Sequence, residues 1–194
     1  MNTEKNTLQG TRAKLTLLEE HHAGMLLEAA KDTPIWGVSL KGISSLADAE
    51  QYIGQAKKEE AAGTCIPFVI WDQVQNKIVG STRFFDISAE HRGLEIGYTW
   101  MNPSVWRTRV NTECKYLLLR EAFENHNMIR VQLKADLRNT RSQAAIERIG
   151  GIREGVLRNH RVLSDGYIRD TVMYSITNQE WPSVKARLES YLSK

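Results

Sequence analysis

The stretch that decides the fold is residues 94–113, LEIGYTWMNPSVWRTRVNTE. Its β-rich first part, Leu94 to Met101, predicts a strand, and Asn102-Pro103 then breaks the extended pattern. Apolar residues recur on one face from Thr108 to Asn125, which predicts an amphipathic helix. The stretch is therefore a strand that runs through a short loop into a helix.

The start of that helix is a predicted anion site. The N–H groups of a first helical turn lack partners inside the helix, and the positive end of the helix dipole lies there. Arg107 and Arg109 add two full charges. The same arginines are also compatible with solvated side chains beside a capped helix, so the loop alone leaves both interpretations open.

Outward from this stretch, the sequence follows the pattern of an α+β fold. Upstream, periodicity and breakers predict a strand over 12–18, helices over 19–31 and 45–62, and strands over 66–71 and 77–85 that form an antiparallel meander with 94–101. Downstream they predict a strand over 128–135, a helix over 141–149, a hairpin of strands over 155–163 and 167–176, and a surface helix over 179–192. No repeat or linker interrupts this order, so we expect a single domain over residues 1–194.

Composition places the chain among ordinary globular proteins. It has 194 residues, of which 41% are hydrophobic. Its longest apolar run, Cys65 to Trp71, is far shorter than the ~20 residues that cross a bilayer, and its first residues lack the apolar core of a secretory signal. We therefore expect a cytoplasmic protein without membrane contact. Cys65 and Cys114 are too few for a disulfide framework or a zinc site, so no metal is expected.

Charge is distributed unevenly along the chain. Residues 1–100 hold 10 Lys and Arg against 13 Asp and Glu, whereas residues 101–194 hold 16 against 10. This asymmetry indicates that the second half meets an anion, either a phosphorylated cofactor or a nucleic acid. A nucleic acid is not expected, because the arginines lack interleaved exposed aromatic residues and any known nucleic-acid motif.

Several motifs in order resemble one family. Glu95-Ile96-Gly97-Tyr98, the segment 106–113, and Asn139-x-x-Ser142 followed by Gly150 look like the GCN5-related N-acetyltransferase (GNAT) superfamily, over about residues 8–178. Within it the sequence is similar to the RimJ/RimL-like N-terminal acetyltransferases. The resemblance implies a mixed, mostly antiparallel sheet flanked by helices and split between the strands 94–101 and 128–135.

The same resemblance implies a site for acetyl-CoA in that split. The pantetheine arm would pair with backbone groups of Trp100, Met101 and Asn102, and the next loop would hold the pyrophosphate. The family pattern for that loop is Q/R-x-x-G-x-G/A, which here reads Trp106-Arg107-Thr108-Arg109-Val110-Asn111, so Arg107, Thr108, Arg109, Val110, Asn111 and Thr112 are the expected cofactor-binding residues. Arg109 and Asn111 fill both glycine positions, which normally let phosphate approach the backbone closely.

Catalytic roles also follow from the resemblance. Glu95 is the candidate general base, although a strand glutamate is equally suited to bind a backbone N–H or an arginine. Backbone N–H groups near Met101 would polarise the acetyl carbonyl. Asn139 and Ser142 would contact the cofactor, and Asn139 is also a natural helix N-cap. The frequent general-acid tyrosine of the family corresponds to Ile146, so Ser142 or water would protonate the leaving thiolate.

The sequence therefore predicts an acetyl-CoA-dependent N-acetyltransferase that transfers the acetyl group directly to a primary amine. The acceptor is a protein N-terminal α-amine or a small-molecule amine, and a homodimer is left open. The alternative is a catalytically silent acyl-CoA-binding or sensing domain, which the filled glycine positions and Ile146 favour. Trp36 is a candidate lining residue of the acceptor pocket, whereas the roles of His160 and Arg161 stay open.

Overall fold

The computed structural model describes residues 7–33 and 42–193. Its strands are β1 (Thr7–Gln9), β2 (Ala13–Leu17), β3 (Cys65–Asp72), β4 (Lys77–Ser88), β5 (Gly93–Met101), β6 (Arg130–Asp136), β7 (Ile152–Val162) and β8 (Ile168–Thr177). Its helices are α1 (Ala23–Ala30), α2 (Leu46–Ala61), α3 (Val110–Arg120), α4 (Thr140–Arg148) and α5 (Trp181–Leu192). Short 3-10 turns lie at Glu20–His22 and Pro103–Val105, and a π turn at Glu121–Asn125 continues α3.

The described strands form one eight-stranded sheet in the order β1-β2-β3-β4-β5-β6-β8-β7. Every neighbouring pair is antiparallel except β5 and β6, which are parallel. The predicted α+β fold with a mixed, mostly antiparallel sheet is thus confirmed.

The sheet is split between its two central strands. β5 and β6 pair only from Gly93 opposite Arg130 to Glu95 opposite Gln132. Beyond Glu95 each strand continues, but the two are no longer paired. The predicted opening between these strands is present, with its closed end at Glu95.

Helices cover the two faces of the sheet unequally. On one face α3, α4 and α5 pack through Leu117, Ile146 and Leu188 onto a core that includes Phe84 and Leu133. On the other face, α1 and α2 pack over Val69, Ile78 and Trp100 in a second, smaller cluster. Polar side chains of β5, β6 and β8 lie beside that smaller cluster, on the face that carries Glu95.

The structure differs from the predicted elements at the N-terminal end. Strand β1 was not predicted, because only Leu8 of its three residues is buried and no alternation can show in so short a run. The predicted helix over 19–31 is a 3-10 turn followed by α1. At the other end of the chain, the predicted hairpin of β7 and β8 is present, and Gly166 in its turn has φ 82°.

The N-terminal hairpin is tied to α3 by Glu113. The Glu113 carboxylate accepts hydrogen bonds from the backbone N–H groups of Thr11, Arg12 and Ala13 at 2.8, 2.8 and 2.5 Å. Gly10 permits this approach, because a Cβ there would lie 2.6 Å from Glu113 Cδ. In the described part of the chain, no helix has both the length and the apolar character needed to span a bilayer.

Candidate active site

A bulge in β5 decides which backbone groups face the opening. Gly97 lies opposite Arg83 and Trp100 opposite Ser81, so Tyr98 and Thr99 share one partner position on β4. Tyr98 has φ 50°, a left-handed value that is uncommon outside glycine. An extra residue inverts the alternation along the strand, so different backbone groups face β6 before and after the bulge.

Beyond the bulge, the backbone N–H and carbonyl groups of Met101 face the opening. The Asn102 N–H donates to Val79 O over 2.7 Å, which directs the backbone of Asn102, and of Trp100 two residues earlier, toward β4. Thr99 and Met101 are therefore directed at the opening. The Met101 carbonyl accepts from Trp106 Nε1 at 2.9 Å.

Of the residues Trp100, Met101 and Asn102 that are expected to pair with the cofactor, Met101 alone directs its backbone at the opening, whereas the backbones of Trp100 and Asn102 are directed at β4. Trp100 is buried in the smaller core cluster and is paired with β4. The Asn102 side chain donates to the carbonyls of Ala29 and Lys31, both at 3.0 Å, and so holds the end of α1. The alternation of polar and apolar residues does not reveal the inserted bulge residue. This residue shifts, by one position along β5, which backbone groups face the opening.

Glu95 lies at the closed end of the opening. Only 2% of its surface is exposed, and Lys134 Nζ of β6 lies 2.5 Å from its Oε2. Burial raises the pKa of Glu95 above its ordinary value, and the Lys134 ammonium opposes that effect. A Cβ atom added to Gly97 would lie 3.6 Å from Glu95 Oε1. The carboxylate is therefore close to the backbone of Gly97. The carboxylate is thus next to the bulge and has the raised pKa that suits a general base.

Arg83, which the sequence analysis missed, supports the bulge from the Glu95 face. Its guanidinium lies between the rings of Tyr52 and Tyr98, 4.6 and 4.5 Å from their centroids, and 3.1 Å from Glu59 Oε2. Phe85 packs edge-on to Tyr98 at 5.1 Å. The signal for this cluster was present in the sequence, because Arg83 is the only charged residue in the run from Ile78 to Phe85.

The loop from β5 to α3 lacks the glycines of the family pattern, and its backbone does not need them at those positions. Arg109 has φ −70°, so its position does not need glycine, and its Nη1 donates to Leu192 O over 2.5 Å. The left-handed residue is Arg107, at φ 59°, and its side chain is exposed. Arg109 is the N-cap of α3, and the Oγ1 of Thr108 before it accepts from the Val110 N–H at 3.3 Å.

Of the remaining loop residues, Val110 and Thr112 turn inward. Val110 is buried in the larger core, so its side chain is not available to a ligand. Thr112 Oγ1 accepts from Arg148 Nη2 of α4 at 2.6 Å. Asn111 is partly exposed between them.

The N-termini of α3 and α4 lie at the same end of the opening, because each helix follows one of two parallel strands. Asn139 caps α4, its Oδ1 accepting from Ser142 N at 3.0 Å. That leaves Nδ2 of Asn139 as the atom suited to a ligand. Arg141 lies 4.0 Å over the ring of Trp106, so a cation–π contact joins the two sides of the opening.

Ile146 is buried in the core and supplies no acid. His160 Nδ1 lies 3.0 Å from Thr171 Oγ1, and burial together with nearby Arg161 lowers its pKa. Within residues 7–33 and 42–193, no three His, Cys, Asp or Glu side chains are grouped to hold a metal ion. Trp36 lies outside the described residues.

Comparison with known proteins gives a consistent result. The acetyltransferase (GNAT) domain family matches residues 12–152. The chain is 31% identical over 108 residues to the Bacillus subtilis (strain 168) protein named "Putative ribosomal N-acetyltransferase YdaF", which covers 56% of this chain and 58% of that protein. The chain thus spans little more than half the length of this relative.

Solved structures are also similar. A crystal structure of a "putative acetyltransferase" from T. thermophilus superposes with a TM-score of 0.86 at 34% identity, covering 99% of this chain and 100% of that one. Mycobacterium smegmatis RimJ in complex with CoA-disulfide superposes with a TM-score of 0.78 at 21% identity, covering 92% of this chain and 88% of that one. The likeness to RimJ shows the fold alone.

Proposed function

Because this chain belongs to the acetyltransferase (GNAT) domain family, we propose that it transfers the acetyl group of acetyl-CoA directly to a primary amine. One observation carries the proposal: the sheet opens beyond Glu95, and the buried carboxylate of that residue lies beside the bulged edge of the opening. A thioester held along this edge would have a base at its reactive end.

The residues present fit acetyl-CoA along the opening. The backbone of Met101, and of Thr99 before it, would pair with the pantetheine arm, and Asn139 Nδ2 and Ser142 would reach it from α4. The end of the loop and the first turn of α3, over residues 107–112, would bind the pyrophosphate through backbone N–H groups. Exposed Arg107 and Arg109 would add charge there.

The chemistry assigned to the chain is proton removal and charge stabilisation. An amine must lose a proton to attack a thioester, and Glu95 would accept that proton directly or through one water. Backbone N–H groups of Thr99 and Met101 would stabilise the carbonyl oxygen as it becomes negative. A thiol has a pKa of about 8.5, so the sulfur leaves easily, and Ser142 or water would protonate it.

We propose a protein N-terminal α-amine as the first acceptor to test, ahead of small-molecule amines. The name of the relative YdaF refers to a ribosomal N-acetyltransferase, which supports a protein acceptor. Such an acceptor would be met in the cytoplasm, where we expect the chain to act. Its approach would be over the polar face of β5, β6 and β8 that carries Glu95 and Lys134.

Release of free CoA from acetyl-CoA, measured with a panel of amines, tests this function. The panel should contain N-terminal peptides of ribosomal proteins, the same peptides with blocked α-amines, and small polyamines. We expect CoA release with free α-amines, together with acceptors heavier by one acetyl group in the mass spectrum. Tight acetyl-CoA binding without transfer to any amine would support the silent acyl-CoA-binding alternative instead.

A further inference from the structure

A buried lysine lies behind the bulge of β5 and has no part in the chemistry described so far. Lys115 of α3 has only 8% of its surface exposed, and its Nζ donates to Thr99 Oγ1 over 2.8 Å. Thr99 Oγ1 lies 2.8 Å from Thr82 Oγ1, so polar atoms connect the ammonium through β5 to β4. Because α3 covers one face and Glu95 lies on the other, the lysine reaches the bulge from the side opposite the base.

No carboxylate among the described residues forms an ion pair with this ammonium. On α3 itself, Glu113 is bound by backbone N–H groups of the N-terminal hairpin, and burial raises the pKa of the Cys114 thiol to about 11, which keeps it neutral. From α5, Glu189 accepts from Tyr116 at 2.8 Å. From the sheet, Glu95 is paired with Lys134 on the far face.

A buried ammonium whose described partner is one hydroxyl is energetically unfavourable unless an anion is supplied. Burial accordingly lowers the pKa of Lys115. The position of the lysine indicates where an anion would come from. The opening closes at Glu95, and the bulge with Thr99 begins three residues farther along the same strand. The reacting end of a thioester next to Glu95 would therefore also be next to the Thr99–Lys115 pair.

We infer that Lys115 is an electrostatic positioning residue that stabilises the thiolate formed from CoA, acting from behind the bulge where Thr99 anchors it. The inference rests on the proposed function. In the step concerned, the amine nitrogen bonds to the acetyl carbon, Glu95 takes the amine proton, and the C–S bond breaks with its electron pair on sulfur. Lys115 keeps its proton and holds the thiolate until Ser142 or water protonates it. Its charge would thus compensate for Ile146, where the family resemblance places an acid.

The pKa of the thiol of bound CoA tests this inference without any turnover. Thiolate formation is followed by ultraviolet absorbance as a function of pH, with a sample containing desulfo-CoA subtracted so that the protein's own thiols cancel. We expect the thiol of CoA bound to the wild-type chain to ionise at least about one pH unit lower than that of free CoA, a tenfold preference for thiolate. Lys115→Met should remove this shift, and Lys115→Arg should retain it.

Thr82→Val is the matched control, because it alters the same polar chain but leaves the Lys115–Thr99 hydrogen bond in place. Desulfo-CoA affinity and melting temperature establish that each variant is folded and binds. A wild-type thiol that ionises like free CoA, or an equal shift in Lys115→Met, would overturn the inference. If Lys115→Met does not fold, the pKa of the bound CoA thiol in the wild type and in Lys115→Arg still tests the inference. Failure of the wild-type chain to bind either nucleotide would instead contradict the proposed function.

Discussion

At the scale of single residues, Glu95 and Lys134 set the ionisation of the site. Burial raises the pKa of Glu95, and the ammonium of Lys134 at 2.5 Å limits that rise. A general base acts only when it is ionised, so kcat/KM should increase with pH through the pKa of Glu95. If Glu95 is the proposed base, the pair would determine how far into acidic conditions the chain stays active.

Replacing Lys134 by Met should move the acidic limb of the pH profile to higher pH. The substitution removes the positive charge that favours ionised Glu95, so a larger fraction of the carboxyl is protonated at any given pH. A shift of one unit would lower kcat/KM about tenfold on that limb. Lys134→Arg keeps the charge and should keep the profile, whereas an unmoved limb in Lys134→Met would assign the titration to another group.

The Asn139 side chain caps α4, and we propose that it also binds the pantetheine arm. Its Oδ1 caps α4, and its Nδ2 is proposed to donate to the pantetheine arm. Both Asn139→Ala and Asn139→Ser should weaken acetyl-CoA binding, by about 1 to 3 kcal/mol for a lost buried hydrogen bond. Only the Ala variant should also lose stability, because Ser remains a good N-cap. Calorimetry and thermal unfolding measure the two effects, and wild-type affinity in the Ser variant would leave the capping task alone.

At the scale of elements, the loop before α3 carries Arg109 and Asn111 at the glycine positions of the family pattern and still reaches the helix without strain at Arg109. The left-handed residue is Arg107 instead. Arg107→Gly and Arg107→Ala should both weaken acetyl-CoA binding by about 1 kcal/mol or less, since the side chain is exposed, and both should flatten its salt dependence. Arg107→Lys should retain most of the affinity. Tighter binding by Arg107→Gly would mean that the arginine obstructs the phosphate.

Another element-scale prediction concerns the junction of the N-terminal hairpin with α3. Glu113→Ala leaves three buried or half-buried backbone N–H groups without their acceptor, so it should reduce the free energy of unfolding by about 2 to 4 kcal/mol. Glu113→Gln keeps one oxygen acceptor and should lose less. Denaturant unfolding provides the comparison, and equal midpoints for the Ala variant and the wild type would show that the junction contributes little.

How well the sequence predicted each element depended on how much periodic signal it carried. The helix over 108–125 and the strands of the meander were predicted because their apolar residues alternate or recur over many residues. The bulge at Tyr98 and Thr99 was missed, because one inserted residue changes backbone direction without a compositional signal. Lys134 and Lys115 were missed for a different reason: their partners lie on other elements, far away in sequence.

At the scale of the whole molecule, one feature organises the site. Two parallel central strands pair over three residues and then diverge, which leaves an opening in the middle of an otherwise continuous sheet. The helices that follow both strands begin at the same end of that opening, so a long ligand would meet helix N-termini at one end and Glu95 at the other. The split was predicted from family resemblance, because hydrophobic patterning does not reveal where two strands part.

Proton removal by Glu95 at the closed end of this opening is tested by the turnover of Glu95→Gln at saturating acetyl-CoA and amine. Lys134→Met/Glu95→Gln serves as the control for an ammonium left without its partner. We expect kcat to fall by about 100-fold or more in both variants, the acidic limb to disappear, and acetyl-CoA affinity to stay nearly unchanged. A Glu95→Gln variant with wild-type kcat and an unaltered pH profile would contradict it.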